Sequence, residues 1–95
     1  VLFMPDNRTN QIYMRKRDLI SSLSSMLGKE GGLTDKTARC VRRAATICEK
    51  QLENRKYMAS EIEALLGKQM KRTEMKLAMS AVEKCFESAA KAEGG

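Results

Sequence analysis

Two stretches of this 95-residue chain repeat apolar side chains at helical spacing over several turns, and they limit the fold more than any other feature. In "TDKTARCVRRAATICEKQLE" the residues Val41, Ala44, Ala45, Cys48 and Leu52 recur three or four apart, so at about 3.6 residues per turn they share one stripe. Lys36, Arg39, Arg43 and Lys50 fall nearly opposite them. In "KRTEMKLAMSAVEKCFESAA" the stripe is Met75, Ala78, Met79, Val82, Cys85, Phe86 and Ala89. A helix with one apolar stripe must bury it against another element, so a mainly α fold is predicted.

The ends of the helices carry their own signals. Thr34 is an N-cap with Asp35 in the first turn, and that helix is predicted to run to about Glu53. The last helix should span about Lys71 to Ala90. A shorter one, "DLISSLSSML", has Leu19, Ile20, Leu23, Met26 and Leu27 at helical spacing and Asp18 as its N-cap, though its serines weaken it. Another, "SEIEALLG", has Ser60 and Glu63 at capping-box spacing and an apolar face of Ile62, Leu65 and Leu66. Gly28 and Gly67 are expected to stop the two short helices in the left-handed conformation glycine accepts. The layout is a bundle of three to four helices, or two helical hairpins.

"MLGKEGG" and "LLGKQMK" thus sound alike. Sliding the halves until Cys48 meets Cys85 also brings Ala44 onto Ala81 and Ala45 onto Val82, but the two glycines align only with a gap. Duplication is one reading. The other is that any two amphipathic hairpins share this pattern.

The N-terminal "VLFMPDNRTNQIYM" has two readings as well. Pro5, Asp6 and Asn7 favour a turn, which gives a short β-ribbon of about residues 1–4 and 11–15 that must pack on helices or pair with another chain. Alternatively a helix starts at Asn10 and continues to Leu27, with Ile12, Leu19, Ile20, Leu23 and Leu27 on one face. The expected organisation is an extension or ribbon over 1–17, a helical domain over 18–92 and a frayed tail over 93–95.

The absence of histidine removes the commonest general base and the commonest transition-metal ligand. Glu61 and Glu63, two apart, do not share a helix face, and no calcium-type loop is present. "LGKEGG" lacks phosphate-loop spacing. Cys40, Cys48 and Cys85 fit neither a disulfide framework nor a zinc pattern, and read as small apolar residues in a reducing, intracellular compartment, cytoplasmic or nuclear. Cys40, at the edge of its stripe beside Arg39 and Arg43, should be the least buried of them. No apolar run is long enough to span a bilayer. Catalysis, a metal, a cofactor, a small-molecule substrate and a membrane role are not expected.

Binding surfaces remain. Eighteen Lys and Arg against twelve Asp and Glu leave a net charge of +6, which favours nucleic acid or an acidic protein surface. The cations group as Arg15, Lys16 and Arg17; as Lys36, Arg39, Arg42 and Arg43; and as Lys68, Lys71 and Arg72. The last group sits at a helix start, where the macrodipole disfavours positive charge and where free backbone N–H groups would welcome an anion, unless the helix begins only at Thr73.

Drawn as a strand followed by two helices, Asn10 to Glu53 resembles the ribbon-helix-helix DNA-binding proteins, in which strands paired between two chains enter the major groove. That resemblance implies that Gln11, Tyr13 and Arg15 face the bases while Ile12 and Met14 face inward, with the last two helices an added assembly domain. It covers under half of the chain, and both the "KEGG" insertion and the nine residues before Asn10 depart from it. "SEIEALLGKQMKRTEMKL" also suggests a helix-turn-helix with Gly67 in the turn and Lys71, Arg72 and Lys76 on the second helix, but Thr73 and Lys76 stand where locking apolar residues are expected.

The expected function is therefore a basic, non-enzymatic helical domain that binds nucleic acid, DNA foremost, as a homo-oligomer, using Arg15, Lys16, Arg17, Arg39, Arg42, Arg43, Lys71 and Arg72. The alternative is a helical protein-interaction or self-assembly module that meets its partner through Met75, Met79 and Phe86.

Overall fold

A computed structural model of the protein describes residues 12–28 and 32–94, with side chains as far as Ala92. The order is β1 (Tyr13–Arg15), α1 (Lys16–Gly28), α2 (Asp35–Gln51), β2 (Lys56–Met58), α3 (Ala59–Gln69) and α4 (Arg72–Gly94). The four helices pack into a small bundle, and the two strands form an antiparallel ribbon with Tyr13 opposite Met58, Met14 opposite Tyr57 and Arg15 opposite Lys56.

The strand expected near residues 11–15 is present, but its described partner is β2, inside a stretch that reads as a linker; residues 1–4 lie outside the described residues. Extended backbone at 13–15 rules out a helix running unbroken from Asn10. It also starts α1 at Lys16, leaving Asp18 in the first turn rather than at the N-cap. The ribbon belongs to the core: Met14 and Tyr57 are both buried. Three contacts hold β2. The Glu53 N–H donates to the Tyr57 hydroxyl at 2.8 Å, the Arg55 guanidinium lies 3.8 Å from the centre of the Tyr57 ring, and Arg55 pairs with Glu61 at 3.6 Å. Tyr57 is thus held at its hydroxyl and over its ring face as well as by burial, contacts that a linear pattern does not reveal.

Thr34 caps α2 as expected, its Oγ1 accepting from the Thr37 N–H at 3.2 Å. At the other end the Leu52 N–H donates to the Cys48 carbonyl, and the Lys16 ammonium donates to the Leu52 carbonyl at 3.0 Å, where the negative end of the helix dipole favours a cation. The start of α3 corrects the Ser60 and Glu63 capping box. The carboxylate that folds back is Glu61, accepting from the Met58 N–H at 2.8 Å, because the helix begins at Ala59. Gly67 does not stop α3; the helix runs through it to Gln69 and ends where Met70 turns extended. Neither Gly28 nor Gly67 takes a positive φ, so the left-handed stops expected at both are absent.

The core draws on every helix: Leu19 and Leu23, Val41, Ala44 and Cys48, Ile62 and Leu66, and Ala78, Val82 and Phe86 are all fully buried. Small buried residues on α2 and α4, Ala44, Ala78 and Ala81, suit the extensive packing of these two helices on each other.

Each half of the chain is a strand followed by a short helix and a longer one, and the burial pattern repeats between the halves. Met14 corresponds to Tyr57, Leu19 to Ile62 and Leu23 to Leu66, each pair buried. In the longer helices Val41 corresponds to Ala78, Ala44 to Ala81 and Cys48 to Cys85, again all buried. The gap that the sequence alignment needs falls at the connection between the helices, which is shorter in the second half along with α3. The glycines are not equivalent: Gly28 is the last residue of α1, whereas Gly67 lies inside α3.

Phe86→Ala should lower the unfolding free energy by about 3–5 kcal/mol, because the emptied volume is enclosed by four helices. Thr34→Ala should cost about 1 kcal/mol by orphaning one helix-end donor. Urea titration followed by far-UV circular dichroism measures both, and a loss for Phe86→Ala below that for Thr34→Ala would contradict the packing described.

Candidate nucleic-acid interface

Because α2 turns Cys40, Val41, Ala44 and Cys48 inward, its remaining positions carry Lys36, Arg39, Arg42 and Arg43 into solvent. Arg43 fixes where this face leads. Its guanidinium donates to the Gln69 carbonyl at 3.5 Å and lies 4.0 Å from the Glu74 carboxylate. An exposed pair of this kind contributes only ~0–1 kcal/mol, so its significance is positional. It sets Arg43, and with it that side of α2, against the α3–α4 junction, where Lys68, Lys71 and Arg72 are all exposed. Two of the three cation groups thus meet.

The fourth helix starts at Arg72 rather than a turn later, so Lys71 and Arg72 do stand at the positive end of its dipole. Glu74 is the acidic residue of that first turn, and its carboxylate lies 4.0 Å from Arg43.

The third group is divided. Arg15 and Arg17 are exposed, whereas Lys16 is half-buried with its ammonium committed to the end of α2. On the ribbon, Tyr13, Arg15 and Lys56 are exposed and Met58 half-buried on the outward face, while Met14 and Tyr57 point in. Tyr13 and Arg15 therefore lie on the side that the sequence alternation assigns them; Gln11 lies outside the described residues. Sequence reasoning missed Lys56, because nothing in "ENRKYM" beyond a single tyrosine signals a strand.

Tyr13 stands at the mouth of a cleft between α1 and α4 lined by Asp18, Ser22, Ser88, Ala89 and Ala92. The ribbon therefore lies toward the C-terminal end of α4, and Arg72 toward the other end, some 20 residues and thus about 30 Å away along the helix. Cations cluster at both ends, and Glu83 and Glu87 interrupt the exposed face between them.

Of the three residues expected to meet a protein partner, Phe86 is fully buried and Met79 is 5% exposed; Met75 alone is half-buried. The first two fill the core and are not displayed. The turn expected at Gly67 forms instead at Met70 and Lys71, and Ala78 with half-buried Met75 and Leu77 holds α4 down, leaving Thr73 and Lys76 exposed.

All three cysteines are buried, including Cys40 at 6% exposure. Burial raises the Cys48 thiol from its ordinary value of 9.0 to about 11, against a small opposing pull from Lys16. Burial likewise raises Cys85 to about 11, opposed by a hydrogen bond with Ser22. Among the described residues no group of three or more histidine, cysteine or acidic side chains is placed to hold a metal ion, and no helix is long and apolar enough to cross a membrane.

Compared with protein-family models, with curated proteins and with solved structures, the chain matches none.

Protonated buried thiols favour the folded state. Their contribution is complete below 9.0, where the unfolded thiols still hold their protons, and is lost as pH rises toward about 11. Ellman's reagent at pH 8 should therefore modify Cys48 and Cys85 slowly in the native protein and rapidly in urea. Fast reaction of all thiols without denaturant would contradict their burial.

Proposed function

We propose that the protein binds nucleic acid through the surface where the cations of α2 meet those of the α3–α4 junction. The observation that supports it is the reach of Arg43 to Gln69 and Glu74, which brings Arg43, with Arg39 one turn away on the same side of α2, to the junction that carries Lys71 and Arg72. Several cations from α2 and from the α3–α4 junction, with a helix N-terminus among them, suit a row of phosphates better than they suit a single carboxylate. Phosphate contact fixes position without reading sequence, which is the role assigned to this face. The outward side of the ribbon is the reading surface, since a two-stranded ribbon fits a major groove and Arg15 and Lys56 can donate to base edges.

Among the described residues Tyr13, at 49%, is the only large hydrophobic residue that is exposed. Buried unpaired thiols suit a reducing compartment, where DNA and RNA are both found.

Binding of duplex DNA, followed by fluorescence anisotropy across a salt series, should weaken linearly in log–log form. Replacing both Arg39 and Arg42 by glutamine should weaken binding about equally for all sequences and reduce the salt slope by about two, near one per lost phosphate contact. Both side chains are exposed, so circular dichroism should be unchanged. An absence of binding at low salt would remove the proposal.

A further inference from the structure

The ribbon is closed within one chain, and it is not symmetric. Its centre is the buried pair Met14 and Tyr57, which hold equivalent places in the two strand–helix–helix halves. Were the halves identical, position 56 would repeat Tyr13, position 58 would repeat Arg15, and the two ends of the outward face would match. They do not match: Tyr13 faces Met58 at one end and Arg15 faces Lys56 at the other. One end of the face is aromatic and apolar, and the other holds two cations side by side.

Like charges directly opposite on neighbouring strands repel, and among the described residues neither Arg15 nor Lys56 has a carboxylate partner. An anionic or acceptor-rich ligand relieves that repulsion. Guanine O6 and N7 or flanking phosphates suit the cationic end, and a thymine methyl suits the end formed by Tyr13 and Met58.

We infer that a single chain, supplying both strands of the ribbon, binds double-stranded nucleic acid one to one and reads a site that is not palindromic. The inference rests on the proposed nucleic-acid binding and adds to it the stoichiometry, the duplex and the polarity of the target. A ribbon formed between two identical chains would carry equal ends and would favour a palindrome. Here the second half of the chain takes the place of the second protomer. Both strands touch the same duplex, so Lys56 should matter as much as Arg15 although it lies in the other half of the sequence.

The test uses the full chain. Duplexes are selected from a random pool and the recovered motif is then titrated, with stoichiometry measured by analytical ultracentrifugation. The expected result is one chain per duplex, a motif without two-fold symmetry, and a similar loss of affinity, about tenfold, for Arg15→Gln and Lys56→Gln, each lowering the salt slope where its contact is to phosphate. Two chains per duplex, a palindromic motif, or a loss for Arg15→Gln with none for Lys56→Gln would overturn the inference and leave nucleic-acid binding standing. Preference for single strands over duplex would do the same. No binding of either at low salt would overturn both. The two variants alter exposed side chains, and unchanged thermal unfolding confirms that lost affinity is not lost fold.

Discussion

The pairing of β1 with β2 is the constraint on which the rest of the molecule depends. It joins strands from the two halves of the sequence, with Met14 and Tyr57 meeting at its centre and facing the helices. A two-stranded ribbon of three residues a side does not hold by itself in water, so it exists because its inner face is buried. In return it fixes the starts of α1 and α3, which follow the strands without an intervening residue. The Lys16 N–H, donating to the Arg55 carbonyl at 3.1 Å, carries the ladder into the first helix. Glu61 ties the same region to the third, accepting from Met58 while pairing with Arg55.

What the sequence made legible follows from periodicity and from local caps. The stripes of α2 and α4, the Thr34 cap and the inward turn of Met14 are properties of a few neighbouring residues, and all are present in the structure. Four helices and a ribbon agree with the expected class. What was not legible depends on which side chains the folded chain brings into contact, some only a few residues apart and one thirty-six apart. The second strand is anchored by Tyr57 and Arg55, Glu61 caps α3 only because the helix begins two residues earlier than a Ser60 cap would start it, and Lys16 looks like a surface cation until the end of α2 arrives beside it. The glycines misled for a related reason. Gly67 is exposed, and with nothing near the place where a Cβ would stand, no close contact obliges the chain to turn there.

The candidate interface was legible in composition and not in arrangement. Cation clusters are visible in a linear string, whereas the reach of Arg43 to the junction before α4, which brings two of them near each other, is not. The same contact separates display from structure. Met79 and Phe86 belong to a stripe as regular as any interaction surface, but α4 is enclosed by α2, α1 and α3, and the stripe is spent on the interior. Periodicity reports that a face is apolar; the number of helices around it decides whether any of that face is left for a partner.

The ribbon also has a kinetic consequence. Each pair of helices closes contacts between near neighbours in sequence, whereas Met14 and Tyr57 come together only after the intervening chain has looped back, and loop closure carries an entropic cost before the contact repays it. The helical hairpins can therefore form early and separately, and the strands register late, when the two halves dock. Interactions absent from the transition state govern how fast a protein opens rather than how fast it forms. The ribbon would then act as the latch of the fold: loosening Tyr57 or Arg55 shortens the lifetime of the closed molecule while leaving the rate of its assembly nearly unchanged.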